Sequence, residues 1–173
     1  MANDQRDGGL RFLNSLHGGA SSTREMSKDA SQNLAIFRGD VVAREADRNI
    51  APAGNLTPGT TAWDGVSQDY GAVSTLTNHL IIVDPQAVFE AQSGATGLSA
   101  ADEGLNANID PAAGVLASRL SGHIINDGTE ATTNTLDLHL KEFLRDSKNE
   151  DGAYSRWAVI FNRHRLHSLI AGV

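Results

Sequence analysis

The chain of 173 residues contains no cysteine. This absence excludes disulfides, thiolate metal sites and a cysteine nucleophile. Aromatic residues make up only 5% of the chain, and no long stretch has the period of about 3.6 residues that a helical bundle shows. Apolar runs such as residues 80–83 are far shorter than the roughly 20 residues of a membrane-spanning helix, and residues 1–9 lack the apolar region of a signal peptide. We therefore expect a soluble protein.

Acidic residues outnumber basic ones, with 21 Asp and Glu against 14 Lys and Arg, which gives a formal net charge of −7. Binding to a phosphate backbone requires clustered Lys and Arg. Near the end of the chain, Arg156, Arg163 and Arg165 form only a short basic run. We therefore expect no nucleic-acid partner.

Motifs of the common enzyme classes are absent from the sequence. The chain has no GxxxxGKS/T or GxGxxG phosphate loop, no GxSxG nucleophile turn and no HExxH zinc motif. Glu150 and Asp151 lie in a polar turn beside Lys148, which indicates solvated charges and not a hydrolytic pair. The sequence predicts a protein that is not an enzyme and has no catalytic or cofactor-binding residue.

Two patterns superficially resemble metal sites. His164 and His167 are close in sequence, but nothing near them supplies the further ligands of a zinc site. Asp102 begins a stretch spaced like a calcium loop, yet its sixth and twelfth positions are Ala107 and Ala113, where such a loop needs a glycine and a bidentate acid. We therefore predict no metal site.

The clearest strand signal lies between residues 129 and 144. Leu136, Leu138 and Leu140 alternate with polar residues that include Asp137 and His139. This pattern predicts a half-buried antiparallel strand whose polar side chains face solvent.

A second alternating run follows, with Trp157, Val159 and Phe161 on one face. The polar turn 145–153 joins the two runs, which predicts a β-hairpin. We interpret the histidines and arginines after this strand as side chains of a contact edge.

Shorter apolar runs between turn-forming residues predict further strands upstream. Residues 33–45 predict a strand, a tight turn at Arg38-Gly39-Asp40, and a second strand. Residues 79–92, with His79 on the polar face, predict two strands separated at Asp84-Pro85, because proline lacks the donor that a central strand needs.

Residues 98–125 predict a loop followed by one more strand. Ser99 or Asp102 is placed to cap a single helical turn. A short strand that contains His123, also expected on the polar face, ends in a predicted turn at Asn126-Asp127-Gly128.

This pattern of short predicted strands separated by long loops predicts a mainly β fold, either a compact antiparallel β-barrel or a β-sandwich. Residues 1–22 are predicted to form an extended N-terminal arm, because Leu10, Phe12, Leu13 and Leu16 form an apolar cluster between glycine pairs. The arm either docks on a partner or folds back onto its own domain. Residues 23–173 are predicted to form a single β-rich domain with a long loop excursion at about 47–77.

Several segments together resemble one protein family. These are DGGLRFLNSLHGG in the arm, IFRGDVV at 36–42, VDPQAVFEAQ at 83–92, AADEGLNANID at 100–110, ATTNTLDLHL at 131–140 and NEDGAYSRWAVIFNRHRL at 149–166. The chain resembles the head decoration, or capsid cement, proteins of tailed bacteriophages. Residues 51–77 and the tail after Leu166 depart from the pattern.

The resemblance implies a β-rich, non-catalytic virion protein that binds the outer surface of the capsid head after expansion, commonly as a homotrimer. Its partner would be the major capsid protein, whose neighbouring subunits it would clamp, with no nucleic acid and no membrane involved. We expect contacts from the arm and from residues 157–167, through the following residues: Leu10, Phe12, Leu13, Leu16, Trp157, Phe161, Arg163 and Arg165. For Trp157, a place in the protein's own core is an equally good interpretation.

A different hypothesis is a carbohydrate- or receptor-binding module on the virion surface. Trp63 and Tyr70 lie in the long excursion, where aromatic rings are suited to stack on sugars. Saturable glycan binding by the isolated protein would favour this hypothesis.

Overall fold

A computed structural model of the chain describes residues 3–166. They form eleven β-strands and two short 3-10 helices, Ala53–Asn55 and Ala100–Asp102. The strands, in chain order, are β1 (Arg11–Ser15), β2 (Thr23–Lys28), β3 (Val41–Arg44), β4 (Ile50–Pro52), β5 (Gly65–Ser67), β6 (Thr77–Ile82), β7 (Ala87–Gln92), β8 (Asn106–Asp110), β9 (Ile124–Ala131), β10 (Leu138–Phe143) and β11 (Arg156–Phe161).

The strands form two antiparallel sheets, which confirms the predicted mainly β fold. One sheet has six strands in the order β1-β7-β11-β10-β8-β9, and the other has five in the order β2-β6-β5-β3-β4. Within residues 3–166 neither sheet closes into a barrel. β6 and β7 are consecutive but lie in different sheets, because the chain turns at residues 84–87, where the Ala87 amide donates to the Asp84 carbonyl over 3.1 Å.

One hydrophobic core is shared by both sheets. The six-stranded sheet contributes its aromatic residues, with Phe89 edge-to-face against Phe161 at 5.6 Å and Phe143 against Trp157 at 5.3 Å. The five-stranded sheet contributes smaller residues, Val41 among them. Aromatic pairs in this geometry add about 0.5–1.5 kcal/mol each beyond the area that they bury.

Both sheets also bury part of their opposite faces. Val42, Ile50 and Ile81 form a second cluster on the other side of the five-stranded sheet. Ala158 and Ile160 form a third with Val88. The alternation in β11 is therefore confirmed, but it separates two buried faces and not a core face from a solvent face.

The predicted hairpin between residues 138 and 161 is confirmed. β10 pairs with β11 in the register Leu138↔Phe161 and Phe143↔Trp157, with a bulge between Leu140 and Glu142. The polar turn closes where the Asn149 side-chain amide donates to two backbone carbonyls, at 2.7 and 2.9 Å. The alternation of apolar residues fixes this register because a slip by one residue would exchange the faces of the strand.

The predicted turn at Asn126-Asp127-Gly128 is wrong as the end of a strand. β9 continues to Ala131, and β8 pairs with it at both Asn126 and Ala131. The residues between them form a bulge, in which the Gly128 amide and the Thr129 hydroxyl bond back to Asn126. These residues do form turn-type hydrogen bonds, but the bonds produce a bulge inside the strand.

The turn predicted at Arg38-Gly39-Asp40 is confirmed, with mutual bonds between Phe37 and Asp40 and Gly39 at a φ of 93°. The strand predicted before it is reduced to a single bridge at Ile36. The helical turn predicted at 98–102 is confirmed as well, since Ser99 and Asp102 form a capping box around it.

The N-terminal segment lies on the six-stranded sheet of its own chain. β1 pairs with β7, and Leu10 is only 1% exposed within the shared core. The segment enters between two loops, where the Gly8 amide donates to the Ser121 carbonyl at 2.8 Å and the Leu10 amide to the Gly39 carbonyl at 3.0 Å. Of the two alternatives for the arm, the structure shows the one in which it folds back.

Candidate functional site

A buried carboxylate connects three distant segments. Asp137 is 0% exposed and accepts hydrogen bonds from the Gly59 amide at 2.9 Å, from Trp63 Nε1 at 2.8 Å and from the Ile109 amide at 3.1 Å. Burial raises the pKa of Asp137 above its usual value, and the hydrogen bonds only partly oppose this rise. The prediction that Asp137 faces solvent is therefore wrong, and the group acts as an anchor for loops.

A second buried carboxylate holds the end of the described chain. Asp64 accepts two hydrogen bonds from the Arg44 guanidinium, at 2.9 and 2.7 Å, and one from Arg165 at 2.9 Å. Burial raises the pKa of Asp64, but the bonds from Arg44 and Arg165 outweigh it and the pKa lies below its usual value. This ion-pair network attaches the segment after β11 to the five-stranded sheet.

His79 joins a loop to β6. The prediction that it faces solvent is wrong. Its ring is buried, with Nδ1 at 2.6 Å from Asp69 Oδ1 and Nε2 at 2.9 Å from Thr77 Oγ1. Burial lowers the pKa of His79, although Asp69 opposes this change. A Thr-His-Asp line resembles a catalytic relay, but Gly71 lies directly over Nε2, where an added Cβ would be at 2.4 Å. This edge of the ring has no room for a substrate.

Beside this loop, Lys28 is fully buried. Its ammonium donates to the backbone carbonyls of Ala72 at 3.1 Å and Thr75 at 3.3 Å. Burial lowers the pKa of Lys28. The lysine thus binds the loop after residue 71 to the end of β2.

His123 is the second histidine that is buried against expectation, and it pairs with Asp40. Its Nδ1 accepts from the Val41 amide at 3.1 Å, and its Nε2 lies 3.3 Å from Asp40 Oδ1. Burial lowers the pKa of His123, although Asp40 and Asp110 oppose this change. Because Nδ1 accepts from the Val41 amide, the neutral form of the ring carries its proton on Nε2. Nε2 lies beside Asp40 Oδ1 but forms no hydrogen bond to it.

No group of three or more potential metal ligands occurs among residues 3–166. His164 is buried and its Nε2 lies 3.1 Å from the Asp64 carbonyl, while His167 lies outside the described residues. In the stretch that is spaced like a calcium loop, Asn106 donates to the Thr133 carbonyl and lies in strand β8. Its side chain is therefore used in a hydrogen bond within the protein.

Three of the predicted contact residues lie in the core of their own chain. Leu10, Trp157 and Phe161 are each at most 1% exposed. Their large apolar side chains fill the space between the sheets, and they are not presented to a partner. For Trp157 the structure therefore shows the core interpretation.

The other contact residues of the N-terminal segment are more accessible. Phe12 is half-buried edge-to-face against Phe89 at 6.2 Å, while Leu13 is 39% and Leu16 48% exposed. Leu13 is the extra residue of a bulge, since Phe12 pairs with Phe89 and Asn14 with Val88.

The two predicted contact arginines bind within the chain. Arg163 donates to the carbonyls of Thr61 at 3.2 Å and Thr60 at 2.8 Å. Arg165 donates to Asp64. Both therefore hold the long excursion against the C-terminal segment.

A surface that the sequence did not predict lies where three loops meet. Residues 29–40 bond to residues 68–76 through the Ile36–Gly71 backbone pair, at 2.9 and 2.8 Å. They also bond to residues 111–121, where the Ser121 amide donates to the Arg38 carbonyl at 2.9 Å. These loops expose five large apolar side chains, the three-loop surface: Leu34 (38%), Val73 (49%), Leu76 (68%), Val115 (37%) and Leu116 (68%).

The aromatic residues proposed for sugar binding do not form a stacking platform. Trp63 is 0% exposed and donates to Asp137. Tyr70 packs against Phe37 at 5.4 Å, and the Arg119 guanidinium covers its ring at 5.4 Å. Both rings therefore pack the long excursion at about 47–77 against other parts of the protein.

No protein-family model, curated protein or solved structure matches this chain. Among residues 3–166, no helix has the length and apolar character needed to cross a membrane.

Proposed function

We propose that this chain is a non-enzymatic structural protein of a tailed-phage virion. It binds the outer surface of the expanded head and stabilises it by clamping neighbouring major capsid subunits. The observation that carries the proposal is the three-loop surface. Exposed apolar patches of this kind mark interaction sites.

The architecture suits such a role. The two sheets with their shared core are arranged as a β-sandwich, and backbone hydrogen bonds fix the three loops to one another before any partner binds. A rigid apolar surface loses little conformational entropy on docking. The net charge of −7 is compatible with an exterior protein that does not bind packaged DNA.

Stabilisation follows from mass action. A ligand that binds the expanded shell and not its precursor lowers the free energy of the expanded state by an amount that grows with occupancy. Many copies on one lattice, or a homotrimer that binds several subunits at once, convert modest contacts into firm attachment. The exposed Leu13 in β1 and Leu16 directly after it provide a second apolar contact.

The test is co-sedimentation with expanded and unexpanded heads that lack decoration. We expect wild-type protein to sediment with expanded heads only, and Leu76→Ser/Leu116→Ser to lose this binding while keeping its unfolding temperature. Leu166→Ser, at a side chain that is 70% exposed outside the surface, is the matched control. Retained binding by the double variant would contradict the role of the three-loop surface.

Light scattering on the purified protein gives the oligomeric state. A homotrimer has a mass of about 55 kDa, three times the 18.3 kDa of one chain. Deletion of residues 1–20 is unsuitable as a test because it removes β1 and opens the core. Binding of neither head form by the wild-type protein would refute the proposal.

A further inference from the structure

The N-terminal segment, residues 3–15, is bound through contacts to distant parts of the chain. β1 pairs with β7, and the Arg6 amide donates to Gln92 Oε1 at 2.8 Å. The Asn3 side-chain amide donates to the carbonyls of Glu150 and Ala153, at 2.7 and 3.0 Å. Since these partners all lie far along the chain from the segment, the same bonds can form between the segment of one copy and the sheet of another.

The site that receives the segment fits it closely. Leu10 is 1% exposed within the shared core. An added Cβ on Gly9 would lie 2.4 Å from the Gly39 carbonyl oxygen and 2.5 Å from the Ser121 side chain. Without the segment, the shared core would be open to water. The fit therefore identifies the occupant as this segment, from the same copy or from a second one.

The linker after β1, residues 16–22, is longer than its path requires. The Leu16 amide donates to the Gln86 carbonyl at 3.1 Å, and the Val83 amide donates to the Ser22 carbonyl at 2.9 Å. The two ends of the linker thus lie beside residues that are at most about 11 Å apart along the chain. When straightened, the linker spans about 23 Å, which is enough to reach a neighbouring copy.

A glycine turn takes up this extra length. Gly18 and Gly19 have φ values of 68° and 117°, and an added Cβ on either would meet no atom within 4 Å. Residues 16–20 are exposed. The turn bond runs from the Gly18 amide to the Ser15 carbonyl, at 2.9 Å. Because packing does not hold the turn, the linker can straighten at the loss of this bond.

Two apolar side chains flank the turn. Leu13 is 39% and Leu16 48% exposed in the single chain. A straightened linker runs from one copy to the next, where a neighbouring surface can cover these side chains. Burial of their apolar area favours association.

We propose that the N-terminal segment is exchanged between copies of this chain, so that β1 and Leu10 of one copy complete the sheet and the core of another. Exchange joins copies at low cost because it reuses contacts that the single chain already makes. A short linker keeps the chain's own segment at an effective concentration in the millimolar range. Exchange should therefore compete at a protein concentration of about 1 mM. This inference does not depend on the proposed virion role.

The absence of native cysteine makes a disulfide test possible. Arg11 and Glu90 are partners across β1 and β7, and the Cα atoms of antiparallel partners are about 5 Å apart, a distance that a disulfide spans. Arg11→Cys/Glu90→Cys is refolded, oxidised and analysed by denaturing gel electrophoresis without reductant. After refolding at about 1 mM we expect covalent multimers of the 18.3 kDa chain. After refolding at about 1 μM, far below the effective concentration, we expect single chains.

A second cysteine pair is the matched control. Ser27 and Asn78 are partners across β2 and β6, and their side chains bond to each other at 2.8 Å. Both strands follow the linker, so they stay in one copy whether or not the segment is exchanged. Ser27→Cys/Asn78→Cys should therefore give single chains at both concentrations.

The turn provides a second lever. Valine disfavours a positive φ, so Gly18→Val/Gly19→Val penalises the closed turn but not a straightened linker. Added to Arg11→Cys/Glu90→Cys, this pair should lower the concentration at which covalent multimers appear by about tenfold or more. Ala20→Val/Ser21→Val adds the same side chains to the linker at positions without a positive φ, and should leave that concentration unchanged.

Three results would overturn the proposal. They are single chains alone from Arg11→Cys/Glu90→Cys at about 1 mM, multimers in equal amount from the control pair, or an equal effect of the two valine pairs. Light scattering on wild-type protein refolded at both concentrations tests the same point without any substitution, and a monomer at both would also overturn it. Because all of these measurements use the purified protein alone, failure to bind phage heads leaves the inference intact.

Discussion

Replacement of Asp137 by alanine and by asparagine gives a sharp test of the buried anchor. In Asp137→Ala, the Trp63 indole and the Ile109 amide lose their acceptor inside the core, while the Gly59 amide is accessible to water. In Asp137→Asn, the remaining oxygen can still accept from Trp63 and Gly59, but the new NH2 group meets the Ile109 amide. The two variants therefore differ in how many buried donors are left without a partner.

The magnitudes follow from this count. An unsatisfied buried donor costs about 1–3 kcal/mol, so the alanine variant should lose about 2–6 kcal/mol of unfolding free energy. The asparagine variant should lose about 1–3 kcal/mol on the same basis. Both substitutions remove a buried carboxylate whose pKa is raised by burial, and alanine in addition leaves a cavity that asparagine fills. The difference between the variants, at least about 1–3 kcal/mol, thus reports the acceptor that asparagine keeps for Trp63 together with the space that its side chain fills.

Urea denaturation followed by tryptophan fluorescence provides the assay. The midpoint should shift without a change in the slope, which reports the surface exposed on unfolding. Asp47→Ala is the control, because Asp47 is exposed and, among residues 3–166, bonds to Asn49 in a turn. Equal destabilisation by alanine and asparagine would refute the assignment of Asp137 as the acceptor for Trp63.

Further predictions concern pH, backbone space and the N-terminal segment. Burial lowers the pKa of His79 and His123, so the unfolded chain binds more protons than the folded protein. The free energy of unfolding should therefore be full above pH about 6.5 and fall below it. The double variant His79→Gln/His123→Gln should flatten this dependence, as measured by urea titrations at several pH values. A wild-type profile that is flat down to about pH 5 would contradict this reasoning. Gly65→Ala would place a Cβ 1.9 Å from a backbone oxygen and should lower the free energy of unfolding by more than about 3 kcal/mol. Gly18→Ala, whose Cβ would have no atom within 4 Å, should lower it by about 1 kcal/mol, as measured by calorimetry. Leu10→Ala should cost about 2–5 kcal/mol by the same measurement, as for a core leucine; a loss below about 1 kcal/mol would show that the segment is not anchored.

The sequence predicted those strands in which periodicity alone decides the structure. Leu138 and Leu140 in β10, and Trp157 and Phe161 in β11, alternate as a hairpin requires, and the hairpin forms. β8 was missed because its sequence, NANID, is rich in asparagine and resembles a loop. Its strand conformation depends on pairing with β9 and β10, which no local pattern can show.

The candidate site was less predictable, because its determinants are distant in sequence. Alternation placed Asp137 on a solvent face, but the loop that carries Trp63 and strand β8 with Ile109 cover that face and supply donors. The three-loop surface also depends on tertiary contacts. Leu76 and Leu116 lie in loops with no regular periodicity, and backbone bonds join each of those loops to residues 29–40.

The position of β11 has a consequence for the order of folding. Arg156–Phe161 is the last strand among residues 3–166, yet it lies inside the six-stranded sheet between β7 and β10. During synthesis, β1 and β7 can pair early, and β9 can reach the end of β7 through the Ser93–Ile125 bridge, but the place between β7 and β10 stays unfilled until residue 161 has left the ribosome. Partners so distant in sequence make folding slow, and the waiting strands expose edges that can aggregate. High-level expression should therefore depend on how quickly this segment emerges.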